Sequence, residues 1–341
     1  LAPVLGVYGV SFAVCFSAGC IISLIGNSHR VKLVTLTAAL LLWFSSALLY
    51  QHSWTRMDPE SLSVTLIQGA ISQELKWQPG QREKTYALYL GMTEPHWDSD
   101  IVIWPETAIP ALYHQAKTFI DSLDAVAKRH DTALLTGIPY KDIDQEKYYN
   151  SILLLGKDRG IYHKYHLVPF GEYLPLDKFL RPLLHFFRIP MSNFSPGTNN
   201  IKTLDTQKAS IGTTICYEDA FGKEVIKTLP QATLLVNISN DAWFGDSIAP
   251  HQHLQIARMR ALETGRYLLR ATNTGISAVI NEKGEIIARS PQFTADALSA
   301  NVMTFKGATP YVLTGNRTII STCVMILLFN LYRLRKRQPG D

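Results

Sequence analysis

The sequence predicts an α/β layered domain held at both ends by membrane-spanning helices. Charged residues crowd into 56–310, while the two ends are almost purely apolar. Between 61 and 305, short β-rich runs alternate with helical stretches. Basic clusters stand beside the apolar segments near both ends. Averages conceal this pattern, since 47% hydrophobic and 18% charged residues describe a mixture of two kinds of segment. The start at Leu1-Ala2-Pro3, directly in an apolar run, is expected of a piece of a longer chain.

Segments 3–26 and 33–50 contain no charged residue and approach the roughly 20 apolar residues that spanning requires. A third, 318–332, is shorter and follows Arg317; a buried core helix is its alternative reading. The first lacks the basic n-region of a signal peptide, and a second apolar segment follows it closely. Orientation follows from His29, Arg30 and Lys32 between the first two spans, and from Arg333, Arg335, Lys336 and Arg337 after the third. The positive-inside rule places both clusters in the cytoplasm. The expected organisation is two spans in 1–50, a juxtamembrane linker at 51–60 and an extracytoplasmic domain over 61–305. A linker at 306–316, a span at 317–334 and a cytoplasmic basic tail at 335–341 follow.

The formal net charge of +5 needs no nucleic-acid partner, because much of it lies in the tail beside a span. No Gly-rich phosphate loop is present. Of the four cysteines, Cys15, Cys20 and Cys323 lie in the spans. Cys216 is alone in the exterior domain and has no disulfide partner there. It is either buried and inert or employed.

Strands are expected at 63–71, 100–106, 132–140, 148–156, 209–218, 232–240, 266–281, 284–290 and 297–303. Helices are expected at 80–97, 115–130, 176–187, 220–228 and 250–265. Several strands are apolar along their length, as when both faces are covered. Asn281-Glu282-Lys283-Gly284 reads as a hairpin turn.

Three places combine chemistry with a strand end, where α/β enzymes gather catalytic groups. The apolar strand Ile101-Val102-Ile103-Trp104 stops at Pro105 and delivers Glu106. Lys164 sits in an aromatic run, Tyr162-His163-Lys164-Tyr165, with Glu172 following on a Pro-Phe-Gly-Glu turn. Cys216 follows the strand Thr213-Thr214-Ile215 and precedes a helical stretch, an elbow whose helix N-terminus is expected to favour thiolate. Together they supply a nucleophile, a carboxylate base and a cation for a developing oxyanion. Spacing alone does not bring them together. His251-x-His253 lacks a third metal ligand with sensible spacing, and no G-x-S-x-G elbow is present.

The order Trp-Pro-Glu, then Lys in an aromatic strand, then Ile-Cys-Tyr-Glu resembles the nitrilase superfamily, which implies a Glu–Lys–Cys triad on a nitrilase-like α-β-β-α sandwich. Longer stretches resemble the apolipoprotein N-acyltransferase family. They are Trp104-Pro-Glu-Thr-Ala-Ile-Pro110, His166-Leu-Val-Pro-Phe-Gly-Glu-Tyr173, Ile215-Cys-Tyr-Glu218, Ser239-Asn-Asp-Ala-Trp-Phe-Gly245 and Ala257-Arg-Met-Arg-Ala-Leu-Glu263. That resemblance runs over essentially the whole chain and implies Cys216 as nucleophile, Glu106 as general base and Lys164 as oxyanion cation. It adds Glu172 as a further essential acid, Tyr217 and Glu218 as neighbours the Cys needs, and Trp77 and Trp243 as aromatics around a substrate site. It implies no cofactor and no metal. It implies a ping-pong transfer of a fatty acyl chain from phosphatidylethanolamine, through a Cys thioester, to the N-terminal amine of a diacylglyceryl-cysteine lipoprotein. The setting would be a bacterial inner membrane with the catalytic domain on the periplasmic side. The family carries further membrane helices upstream of where this chain begins. The competing readings are a membrane-tethered carbon–nitrogen hydrolase using water as acceptor, and a non-catalytic scaffold, against which the presence of all three triad residues counts.

Overall fold

A computed structural model describes residues 1–26, 28–175 and 193–337. The helix expected over 176–187 and the end of the basic tail lie outside these residues. The chain divides into two compact units, one of Met57–Leu262 with Arg266–Lys306, the other of Leu1–Arg56, Glu263–Gly265 and Gly307–Asp341.

The larger unit is built on two six-stranded sheets. Its strands are β1 (Arg56–Gln68), β2 (Ile101–Ile103), β3 (Ala133–Asp142), β4 (Lys147–Leu155), β5 (Gly160–His163) and β6 (Leu204–Asp205). They continue as β7 (Ser210–Ile215), β8 (Leu234–Ser239), β9 (Leu268–Thr272), β10 (Ala278–Ile280), β11 (Ile286–Arg289) and β12 (Asp296–Lys306). One sheet has the order β12-β1-β2-β3-β4-β5 and the other β11-β10-β9-β8-β7-β6. In each, three central strands run parallel and the flanking pairs β3–β4–β5, β6–β7 and β9–β10–β11 are antiparallel.

Period-two alternation sorts the side chains. Leu62, Val64 and Leu66 of β1 and Ile101 and Ile103 of β2 meet Ile211, Ile215, Val236 and Ile238 of the other sheet in one core. The alternate residues Ile67, Val102, Leu134 and Ile138 face outward into a second core. Helices α1 (Gln81–Thr93) and α2 (Lys117–His130) cover that face with Tyr89, Ile120, Leu123 and Ala127. Helix α3 (Ala249–Thr264) contributes the buried Leu254, Ala257 and Ala261, and Arg258 Nε donates to Gly284 O at 2.8 Å. The layering is the α-β-β-α sandwich the family resemblance implies. Asn281 makes the expected turn, its Oδ1 accepting from Lys283 N and Glu285 N, with Gly284 at φ +76°.

Several expectations need correction. The stretch 51–60 is strand from Arg56 onward, because Asp58 on β1 accepts from Thr304 and Lys306 of the neighbouring β12. The run 266–281 is two strands, β9 and β10, because buried Asn273 and Ser277 turn the chain between them. Asn273 holds Ile71 through both main-chain groups, and Ser277 Oγ donates to Gln68 Oε1 at 2.7 Å. The helix expected over 220–228 is two short turns, Gly222–Val225 and Ile226–Thr228.

The smaller unit contains three helices long and apolar enough to cross a membrane: Ala2–Ser23, His29–Gln51 and an Arg317–Arg337 helix whose qualifying stretch ends at Lys336. His29, Arg30 and Lys32 therefore begin the second helix rather than lying in a loop, and the basic tail is helical through Arg337. The first helix departs from helical geometry at Gly6, φ +68°, where an added Cβ would fall 2.4 Å from the buried Tyr311 ring. Tyr311 lies in Pro310–Thr314, a helix within the expected linker 306–316; Thr309 caps it by accepting from Val312 N while donating to Glu263 O.

Candidate active site

Glu106, Lys164 and Cys216 come from three separate strand ends and line one cavity of about 410 Å³. Glu106 is aimed by the turn that follows β2. Trp104 is fully buried, stacks on Tyr89 with ring centroids 5.0 Å apart, and donates from Nε1 to Thr93. The Pro105–Thr107 turn then lies directly on β3 at Gly137. A Cβ there would sit 2.5 Å from Thr107 N and 2.7 Å from Glu106 Cα. Only a glycine permits that approach.

The Glu106 carboxylate accepts from Asn150 Nδ2 at 2.7 Å and lies 3.9 Å from Lys164 Nζ. Burial raises its pKa, as does the charge of Glu172, against the opposing pull of Lys164 and Asn150. Lys164 is 1% exposed, a buried cation rather than a solvated lysine. Its ammonium donates to Glu172 Oε1 at 2.9 Å and approaches Oε2 at 2.8 Å. Burial works against the charged form, but Glu106 and Glu172 more than offset it and hold Lys164 protonated. Glu172 is fixed in turn by Val168 N on Oε2 and by Asn150 Nδ2 on Oε1. Asn150 thus bridges both carboxylates, and two acidic partners fix which end of its amide is NH₂.

Cys216 stands at φ +51°, a left-handed conformation uncommon outside glycine, and opens the 3-10 turn Cys216–Ala220. Its carbonyl accepts from Asn237 Nδ2 at 3.3 Å and is 3.2 Å from His253 Nε2. The elbow leads into this short 3-10 turn rather than the longer helix expected to favour thiolate. Burial, then the nearby Glu106 carboxylate, push the thiol up to about 12, with Lys164 opposing. A thiol kept protonated beside a carboxyl of raised proton affinity can give up its proton as it attacks.

Glu218 does not line the cavity. It is 1% exposed and accepts from Tyr162 OH and from the main-chain N–H groups of Tyr165, His166 and Ile215. It ties the chain just after Lys164 to the strand just before Cys216, a positioning role rather than a substrate contact. Tyr217 stands half-exposed, edge-on to Phe221 at 5.0 Å and beside His166. Trp77 and Trp243 are 44% and 64% exposed and line the cavity with Phe170 and Phe244, so neither is a core aromatic.

Behind the elbow lies a buried ionic cluster that motif reading missed. Arg270 Nη2 donates to Asp241 Oδ2 at 2.8 Å, and His253 sits between Asp241 at 2.9 Å and Asp219 at 3.0 Å. Burial and Arg270 lower the affinity of His253 for its proton; Asp219 and Asp241 outweigh them and raise its pKa to about 9. His253 is committed here, and His251 is exposed on the same helix. Among the described residues no cluster suited to holding a metal ion is found. Asn150 and Lys76 are site residues that the sequence left unnoticed, as is the pairing of His253 with Asp219 and Asp241. A polar Asn inside the apolar run Tyr148–Leu155 was the one available signal.

The sandwich fold is shared with solved structures. A carbon-nitrogen hydrolase from Helicobacter pylori superposes with a TM-score of 0.54 at 17% identity, covering 71% of this chain and 88% of that one. An amidase from Nesterenkonia sp. gives 0.55 at 17% identity, over 76% and 95%. The chain belongs to the carbon-nitrogen hydrolase family, whose model matches residues 63–304. Within that family it falls among the apolipoprotein N-acyltransferases. It is 42% identical to the protein of that name from Methylococcus capsulatus over 98% of this chain and 67% of that one, and 39% identical to that of Vibrio cholerae over 98% and 68%. The chain spans about two thirds of the length of these relatives.

Proposed function

We propose that this chain catalyses the two-step transfer of a fatty acyl group from a phospholipid to the N-terminal amine of a diacylglyceryl-cysteine lipoprotein. The observation that carries the reading is the convergence of Cys216, Glu106 and Lys164 on one cavity rimmed by exposed aromatics. The name its relatives bear supports the acceptor.

In the first half-reaction Glu106 takes the thiol proton as Cys216 Sγ attacks the ester carbonyl carbon of a donor such as phosphatidylethanolamine. The Lys164 ammonium stabilises the resulting oxyanion. Collapse breaks the ester C–O bond, Glu106 returns its proton to the departing alcohol, and lysophospholipid leaves behind a thioester. In the second, the lipoprotein's neutral amine attacks the thioester carbonyl. Its proton passes to Glu106 and then to the departing thiolate, leaving an amide and a free Cys216. Glu172 and Asn150 keep Lys164 and Glu106 in register. Tyr217 supports the elbow from outside. Trp77 and Trp243, with Phe244, line the way for apolar chains and shield the thioester from water. The three apolar helices anchor the chain in a bacterial inner membrane, with the domain on the periplasmic side where both lipid-borne substrates are presented.

The test is the intact mass of detergent-solubilised protein after incubation with phosphatidylethanolamine and no acceptor. A hydroxylamine-labile fatty-acyl adduct is expected in wild type and absent in Cys216→Ala. No adduct, in a preparation that still hydrolyses small amides, would replace this reading with a membrane-tethered carbon–nitrogen hydrolase.

A further inference from the structure

Among the described residues that line the cavity, Lys76 is a cation that the reaction above leaves unused. It ends the short turn Gln73–Lys76, is 2% exposed and lines the same cavity as Cys216. Its ammonium makes a single hydrogen bond, from Nζ to the main-chain O of Glu106 at 3.2 Å, and has no ion pair among the described residues. The contrast with Lys164 is sharp, since that ammonium is held by both oxygens of Glu172. A lysine ammonium has three N–H donors, so two of those on Lys76 are unspent. Burying a cation against one neutral acceptor is unfavourable. Its pKa accordingly falls to about 8, burial lowering it while the Glu106 charge resists.

We propose that Lys76 is an anion-receiving group of the catalytic cavity, whose two free N–H donors take oxygens of the acyl donor's phosphodiester. This rests on the phospholipid-donor reading. The cavity wall combines apolar and aromatic side chains such as Val168, Phe170 and Phe194 with the neutral polar groups of Gln73, Asn150 and Asn240, none of which hydrogen-bonds to Lys76. The Glu172 carboxylate is committed to Lys164, and Glu106 meets Lys76 through its carbonyl. Among the described residues the Glu106 carbonyl is what Lys76 Nζ donates to, which leaves two donors for a ligand's oxygens. Of the two proposed substrates, the amine acceptor is disfavoured at this point, because an ammonium would be repelled by Lys76. A phosphodiester stays ionised and presents two acceptor oxygens close to the glycerol esters. The group thus belongs to the donor half-reaction.

The experiment follows the hydroxylamine-labile adduct in the full, detergent-solubilised chain, for wild type, Lys76→Met and Lys76→Arg. Two donors of equal acyl length are compared, phosphatidylethanolamine and a p-nitrophenyl ester that has no phosphate. Lys76→Met is expected to raise the half-saturating concentration of phosphatidylethanolamine by roughly tenfold or more. The rise for the phosphate-free ester should be much smaller, which also shows that the variant is folded, and Lys76→Arg should recover most of the phospholipid preference. Equal losses on both donors, or none on either, would overturn the proposal while leaving the acyltransferase reading intact. Wild type acylated by the ester and not by the phospholipid would end both. Inorganic phosphate, at matched ionic strength, inhibiting ester acylation in wild type and not in Lys76→Met, while Lys76→Met shows no phospholipid-selective loss, would assign the group to free phosphate and overturn the lipid assignment.

Discussion

At the scale of single residues, the site depends on charges that are buried and individually balanced. Glu172→Gln removes the closest counter-charge of Lys164 while keeping the side chain's size and its acceptor oxygen. Among the described residues Lys164 then retains Glu106, 3.9 Å away, as its close carboxylate partner. Acyl-adduct formation is expected to fall by at least about tenfold with an unchanged circular-dichroism spectrum; wild-type rates would show that Glu172 is dispensable. His253 offers a pH test. Its pKa rises from the ordinary histidine value to about 9 in the folded chain, so the native state binds a proton more tightly than the unfolded chain. Its stabilisation is complete below the unfolded pKa of about 6.5 and is lost as pH climbs through about 9. Unfolding free energies of wild type and His253→Gln should therefore converge across that window, by on the order of 2 kcal/mol. A difference that stays constant with pH would mean that His253 is not charged there. Glu106 and Cys216 were legible in the sequence because each follows an apolar strand at a punctuated end. Lys76 was not, because its four-residue turn is too short to show periodicity. Asn150 acts through its position on β4 between two carboxylates distant in sequence, which only the fold reveals.

At the scale of elements, the site is placed by strand ends meeting turns, and one contact decides where Glu106 goes. Gly137 on β3 receives the Pro105–Thr107 turn so closely that a methyl would touch three of its main-chain atoms. The obstacle is backbone, with no flexible side chain to yield. Gly137→Ala should cost about 1–3 kcal/mol in thermal unfolding, and its loss of acyl-adduct formation should exceed what that destabilisation explains, because Glu106 itself is displaced. Full activity at reduced stability would show that the turn can shift without moving the carboxylate. Most strands were readable from alternation and from apolar runs bounded by Gly, Pro, Asn and Ser. The misreadings share a cause. β1 runs beyond the core, where mostly exposed residues carry no burial pattern and the partner strand β12 is distant in sequence. The break between β9 and β10 is short and flanked by apolar residues on both sides, so Asn273, Gly275 and Ser277 read as part of one run.

At the scale of the whole molecule, the distribution of basic residues makes the final prediction. Arg30 and Lys32 begin the second apolar helix, and Arg333, Arg335, Lys336 and Arg337 end the third. Two clusters at opposite ends of the chain independently favour the same side of a membrane. If they act together, protease added to spheroplasts with an intact inner membrane should degrade the domain Met57–Lys306. An epitope placed at the C-terminus should stay protected until the membrane is opened. Neutralising Arg333, Arg335, Lys336 and Arg337 should weaken this bias without reversing it, because Arg30 and Lys32 still hold the preceding helix pair. Protection of the domain, with exposure of the C-terminal epitope, would invert the orientation. It would also separate the catalytic cavity from lipoproteins displayed outside, and the acceptor half of the proposed reaction would fail with it.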